Sequence, residues 1–327
     1  MHTIAFPGLG IPEFQVHETA FTLFGMEVKW YGVILTFGIL CALCLFYYLS
    51  RKVENLPENH LYNLALFTVP IGIIGARVIY VVTKWDDYAG NIGKMINIRE
   101  GGLAIYGGII FGGLTVFTYC RIAKLSFLKV ADSVAPAVMV GQLIGRWGNF
   151  MNGEAYGVST HVDTLFCRMM VDGKATHPTF LYESLWNLIG LLLLLLIFYR
   201  RKKFDGEIVC LYVGWYGFGR TLIEILRDDS LYLIGDKTSK FSIKFSVFVG
   251  ICSVILCVIG LLVFSRRAKK LNAEATYTSK FSAANLETVP EEAAEESAEE
   301  SASEESASES EPEEPSDAPE ASESKEE

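Results

Sequence analysis

An all-α integral membrane protein of about seven transmembrane helices is predicted, with the N-terminus outside and the C-terminus in the cytoplasm. Three observations predict it. Seven apolar stretches occupy residues 30–264, and about 20 residues at ~1.5 Å each span a hydrocarbon core. Basic clusters follow every second stretch. The charge is also divided: residues 273–327 hold 19 acidic and two basic residues, net −17, while the preceding 272 hold 26 basic and 19 acidic, net +7. A basic, very apolar body with an acidic tail is not an ordinary soluble enzyme, and nothing in it supports nucleic-acid binding. Three regions follow: 1–27, an extracytoplasmic N-terminal segment; 28–272, the membrane domain; and 273–327, an acidic cytoplasmic tail.

The stretches are Trp30–Leu49, Leu61–Val82, Leu103–Cys120, Val130–Ile144, Phe180–Tyr199, Ile208–Leu226 and Phe245–Phe264. Five or six are comfortably long enough. The fourth is short and carries Asp132 and Pro136, yet the charges require it. Arg51-Lys52, Arg121/Lys124/Lys129, Arg200–Lys203 and Arg266–Lys270 follow stretches one, three, five and seven. The positive-inside rule sets one orientation from all four only if the fourth stretch spans.

Residues 1–27 contain Pro7, Pro12, Glu13 and Glu18 without a basic n-region, so they do not resemble a cleaved leader. Gly108 and Gly112, four apart in the third stretch, are expected to let helices approach closely. From Pro290 onward the chain is nearly all Glu, Ser, Ala and Pro, a composition that cannot bury enough apolar surface to order itself. Cys41 and Cys44 form a CxxC inside an uncharged span with no metal-ligating partners, and read as small apolar helix residues.

Ionisable groups are costly inside a membrane and are functional candidates there. They gather toward the outer ends of the stretches. Stretch four runs into Gly145-Arg146-Trp147-Gly148-Asn149-Phe150-Met151-Asn152-Gly153-Glu154-Ala155-Tyr156-Gly157. An arginine, two amides and a carboxylate suit a polar ligand with an anionic group, since arginine grips phosphate through a bidentate fork. Tyr216, Arg220, Glu224 and Arg227 fall within about 80° of one another on a helix at 100° per residue, forming one polar stripe. His177–Glu183 opens stretch five at the same outer surface, where a lone histidine is usually a cap. Two arginines near the outer leaflet suggest an anionic lipid headgroup. No nucleotide loop, zinc spacing or nucleophile elbow is present in the sequence, so no metal or cofactor is expected.

The run Gly145–Gly157 resembles the signature of the bacterial phosphatidylglycerol–prolipoprotein diacylglyceryl transferase family. The resemblance extends in order over roughly residues 25–265. It takes in Trp30-Tyr31-Gly32, Gly75-Ala76-Arg77, Gly101–Gly108, Asp132–Pro136, His177–Glu183 and Tyr216–Arg227. It implies a multi-pass protein of the bacterial cell membrane with its active site toward the extracytoplasmic leaflet. Its reaction would be transfer of diacylglycerol from phosphatidylglycerol to the lipobox cysteine of a prolipoprotein. A thioether forms and glycerol phosphate leaves. Arg146, Arg220, Tyr106 and Glu154 are the implied catalytic residues. Arg146, Asn149, Asn152, Gly157, Tyr31, Tyr216, Glu224 and Arg77 are the implied lipid-binding set.

One residue departs from the family pattern. Tyr106 stands before Gly107-Gly108 where histidine is usual, and a phenol of pKa about 10 is a poor base near neutrality. The arginine field, or Tyr106 as a hydrogen-bonding partner, is left to activate the thiol. The alternative from a different class is an anionic-lipid transporter or flippase with an arginine-lined cavity. Such proteins often carry internal repeats, and the two halves of this chain show none.

Overall fold

Helices dominate the computed structural model, which describes residues 1–98, 101–157, 166–227, 232–234 and 243–287. The chain divides into two units, Met1–Ala268 and Lys269–Glu327. All of the site chemistry lies in the first unit. The second is helical as far as it is described, and the acidic tail from Pro290 onward lies outside the described residues.

The chain opens with strands β1 (His2–Phe6), β2 (Ile11–Val16), β3 (Thr19–Leu23) and β4 (Met26–Lys29). Helices follow: α1 (Trp30–Lys52), α2 (Glu58–Thr83), short α3 (Trp85–Tyr88) and α4 (Ile92–Ile96), α5 (Ile105–Ile122) and α6 (Phe127–Met151). Strands β5 (Met169–Val171) and β6 (Lys174–Thr176) precede α7 (Thr179–Leu193) and α8 (Glu207–Glu224). Strands β7 (Tyr232–Ile234) and β8 (Ile243–Lys244) lead to α9 (Phe245–Glu287).

Among the described residues, six helical segments are long and apolar enough to cross a membrane: Trp30–Lys52, Glu58–Thr83, Ile105–Ile122, Phe127–Met151, Thr179–Arg201 and Phe245–Leu271. The fold is therefore that of an α-helical multi-pass membrane protein. The expectation for the fourth stretch needs correcting, because α6 runs 25 residues straight through Asp132 and Pro136. A membrane helix tolerates proline where neighbouring helices meet the freed backbone groups. Asp132, fully buried, accepts hydrogen bonds from the Gly206 and Val209 amides at 2.7 and 2.9 Å, so it caps the start of α8 from another helix. The marginal segment is instead the sixth. Helix α8 has 18 residues and includes Glu207, Arg220 and Glu224, so its polar stripe keeps it out of the six.

Helix α6 is the hub: α1 lies along it, and α7 and α8 pack on it, while α2 pairs with α5. The α2–α5 approach uses glycine, but not in the expected register. A Cβ on Gly107 would lie 2.3 Å from the Gly75 carbonyl oxygen, whereas one on Gly108 would make only ordinary contact. The Gly75–Gly107 crossing is the tight one.

Sequence reading also missed the β cap. Strands β2-β1-β5-β6 form an antiparallel sheet, with Ile4 opposite Val171, and β3 and β4 form a hairpin. Its turn, Phe24-Gly25, has φ of 49° and 77°, the left-handed pair that a two-residue hairpin requires. Ile4, Phe6, Val16, Met169, Val171 and Phe180 form one core, and Phe150, Met151 and Tyr156 pack against it. The sheet thus sits on the end of α6 that leads through the Gly145–Gly157 run, and on the start of α7.

At the other end of α6, Lys202 joins three elements. Its Nζ lies 2.6 Å from Glu54 Oε1 and 2.8 Å from Asp132 Oδ2. This lysine, one of the basic residues used to set the orientation, is mostly buried between two carboxylates.

Candidate active site

Three arginines converge on one carboxylate. Glu183, one turn into α7 and 5% exposed, takes Arg146 from α6 on one oxygen. The other oxygen accepts a hydrogen bond from Arg220 Nη1 of α8 at 2.9 Å, with Arg227 Nη1 at 3.6 Å. Arg220 also reaches Glu224, its i+4 neighbour, at 2.6 Å. Glu224 is 1% exposed. Buried charge at a membrane helix end is tolerable only when paired in this way. The site is therefore a charge-dense network of paired groups, three arginines to two carboxylates, rather than a set of isolated cations.

The helices are held in place beside it. Trp147 Nε1 donates to Ser184 Oγ at 3.2 Å, and Ser184 Oγ donates to the Leu143 carbonyl at 3.1 Å, so α6 and α7 are tied on either side of the Arg146–Glu183 pair. Lys244 Nζ donates to the Glu224 and Arg227 carbonyls at 2.7 and 2.9 Å, placing a cation at the C-terminus of α8.

The signature run forms a turn wired through Glu154. Asn149 Nδ2 and Asn152 Nδ2 donate to Glu154 Oε1 at 3.1 and 3.3 Å. Gly153, at φ 65°, lies where a Cβ would strike the His2 ring of the β cap. Gly157 serves as a junction: its N–H donates to the His177 carbonyl at 3.0 Å, and a Cβ would crowd His177 and the Leu226 carbonyl. Tyr31, at the start of α1, lies against Gly148 and within electrostatic range of Arg146 and Glu154. Tyr216 and Arg220 line a narrow recess with Glu183, Trp186 and Asn187. Tyr106, at the head of α5, packs edge-on against Phe245 at 5.4 Å and is within range of Tyr216, Arg220 and Glu224.

The expected residues thus divide. Arg146, Arg220, Glu224, Tyr31, Glu154, Tyr216 and Tyr106 share one neighbourhood, with Asn149 and Asn152 joined to it through Glu154. Arg77 is placed differently. Four of its five N–H donors go to the carbonyls of Lys94, Met95, Gly101 and Gly102, each at 2.8 Å. It clamps the loop that leads into α5. The residue that sequence reading left out is Glu183. Its signal was present, as the one carboxylate in the apolar stretch Phe180–Tyr199, but its partners come from two other helices. Among the described residues no cluster of His, Cys, Asp and Glu could hold a metal.

Fold and site together define a multi-pass membrane protein with a buried arginine–carboxylate centre. Residues 18–265 match the family model described as prolipoprotein diacylglyceryl transferase. The chain is 43% identical over 239 residues to a protein of Finegoldia magna, covering 73% of this chain and 94% of that one. It is 43% identical over 271 residues to one of Lysinibacillus sphaericus, covering 78% and 94%, and 43% identical over 216 residues to one of Clostridioides difficile, covering 66% and 85%. All three carry the name phosphatidylglycerol–prolipoprotein diacylglyceryl transferase. The chain belongs to the prolipoprotein diacylglyceryl transferase family and is a bacterial membrane transferase.

Proposed function

We propose that the arginine–carboxylate centre is where phosphatidylglycerol is bound and its diacylglyceryl group passed to the lipobox cysteine of a prolipoprotein. The observation that carries this reading is the convergence of Arg146 and Arg220 from separate helices on Glu183. A lipid phosphate entering there exchanges one anionic partner for another, so the guanidinium pair is already held at the spacing an anion needs. In the reaction a C–S bond forms at the glycerol carbon while the C–O bond to phosphate breaks. The thiol proton is lost to a base, and the new charge resides on departing glycerol phosphate. Arg146 and Arg220 stabilise that charge through charge-assisted hydrogen bonds. Tyr31, Tyr216 and the Asn149/Asn152/Glu154 turn orient the headgroup. Tyr106 faces the same centre and hydrogen-bonds the incoming thiol or the lipid.

The site faces outward in this reading, supported by the four basic clusters that follow alternate stretches. Purified protein, phosphatidylglycerol vesicles and a lipobox peptide test it. A thioether-linked diacylglyceryl peptide and free glycerol phosphate are expected. Movement of phosphatidylglycerol between leaflets with no lipidated peptide would favour a transporter instead.

A further inference from the structure

Helices α7 and α8 carry the same short pattern. Trp186 and Gly190 are four apart on α7, and Trp215 and Gly219 are four apart on α8. The two helices use the patterns reciprocally. The indole rings stack with centroids 4.3 Å apart and planes 16° from parallel. Trp186 Nε1 donates to the Trp215 carbonyl at 3.1 Å, and Trp215 Nε1 donates to the Trp186 carbonyl at 3.1 Å. Each indole occupies the space that a side chain on the opposite glycine would need. A Cβ on Gly190 would stand 2.2 Å from Trp215 Nε1, and one on Gly219 would stand 2.0 Å from Trp186 Nε1. The clasp therefore fixes the rotation, height and separation of the two helices at once.

Its location gives it a consequence for chemistry. Gly219 directly precedes Arg220, and Trp186 follows Glu183 by three residues, one helical turn. Trp186 lines the same recess as Glu183 and Arg220. We infer that Trp186 and Trp215 are positioning residues: their reciprocal clasp sets Arg220 at hydrogen-bonding distance from Glu183 and so holds the arginine pair ready for the lipid phosphate. This rests on the phosphate-site reading above. The indole N–H groups bond to carbonyls within regular helix, which already accept from the amide four residues on. Removing either donor therefore leaves no buried acceptor orphaned, and the effect on fold stability is small. The effect on the Arg220–Glu183 geometry is not small, because a helix freed to rotate or slide shifts both charged groups.

The test uses the full chain in detergent, with short-chain phosphatidylglycerol as the binding probe and thioether formation as the kinetic readout. Trp186→Phe and Trp215→Phe should each weaken lipid binding and lower kcat/KM by about tenfold, with a shift in Tm of a few degrees at most. In a Glu183→Gln background the same changes should add little further loss of binding, because the pair they position is already broken. Should a phenylalanine variant fail to fold, 3-benzothienyl-alanine at position 186 keeps the ring shape without the N–H, and the same loss is expected. Wild-type binding and turnover in the tryptophan variants would overturn the inference. So would an equal fold-loss in both backgrounds, the mark of a purely structural clasp. Normal lipid binding by Arg220→Ala would instead defeat the phosphate site itself, a separate result from failure of the clasp.

Discussion

Tyr106 is the residue at which the sequence reading expects a departure from the family pattern, and the structure gives it a definite position. Its ring meets Phe245 edge-on, and its surroundings include Tyr216, Arg220 and Glu224. A neutral phenol there can donate or accept a hydrogen bond beside the arginine field without acting as a full base. Tyr106→Phe should slow transfer measurably while leaving the protein folded, since the ring still fills its place against Phe245. Tyr106→His should keep substantial activity, because imidazole offers a polar edge and a pKa nearer neutrality. Thioether formation followed against pH in the three forms checks this, and full activity of the Phe form at every pH would remove Tyr106 from the site. At this scale the sequence was informative where chemistry was concentrated locally. Arg146, Asn149, Asn152 and Glu154 lie within nine residues, and the stripe on α8 is visible from spacing alone. Glu183 was visible only as the lone carboxylate of its apolar stretch, without its role, and the loop-clamping role of Arg77 was not visible. Both depend on partners brought in by tertiary packing: arginines from α6 and α8 for the first, and carbonyls of the α4–α5 region for the second.

At the scale of elements, long apolar helices were legible and short strands were not. The reason is the range of the signal. A membrane helix declares itself over some twenty residues, whereas β1 pairs with β5 across more than 160 positions of sequence. That pairing is anchored by Asp172, which accepts from the Thr3 amide at 2.9 Å and lies 3.1 Å from His2 Nδ1. The Thr3 amide first, and His2 second, hold the Asp172 carboxyl below its usual range. A lowered pKa means that the folded cap favours the ionised form. The stabilisation is therefore complete above the ordinary carboxylate value of about 4 and is lost as pH falls through the lower folded value. Protection of the Thr3 and Asp172 amides, taken relative to the unstructured exchange rate at each pH, should fall across that acid window, and Asp172→Asn should remove this pH dependence. Protection that is flat with pH in the wild-type protein would contradict it. The Gly75–Gly107 crossing gives a second lesson: the glycine-rich third stretch was recognisable, but which glycine faces α2 is a matter of helix rotation, which composition does not encode.

For the molecule as a whole, α6 links two buried charge centres, Asp132 with Lys202 and Glu54 at one end and Arg146 with Glu183 at the other. In the orientation proposed above, the first lies on the cytoplasmic side and the second outside. Phe24, at the hairpin tip and 91% exposed, offers a direct test of that assignment. A cysteine placed there, in a background without the native cysteines, should react with an impermeant reagent added to intact cells. Reaction only from the cytoplasmic side of inverted vesicles would reverse the orientation. Arg146 and Arg220 together are proposed to stabilise the phosphate leaving from phosphatidylglycerol. Each contact to developing charge is worth about 2–4 kcal/mol, or roughly 30- to 1000-fold in rate. The most direct measurement is thioether formation by purified Arg146→Ala and Arg220→Ala, beside the corresponding lysine variants. Losses of that size are expected in both alanine forms, with partial recovery with lysine, which keeps the charge but not the fork. Near-normal turnover in both alanine variants, folded and in membranes, would contradict it.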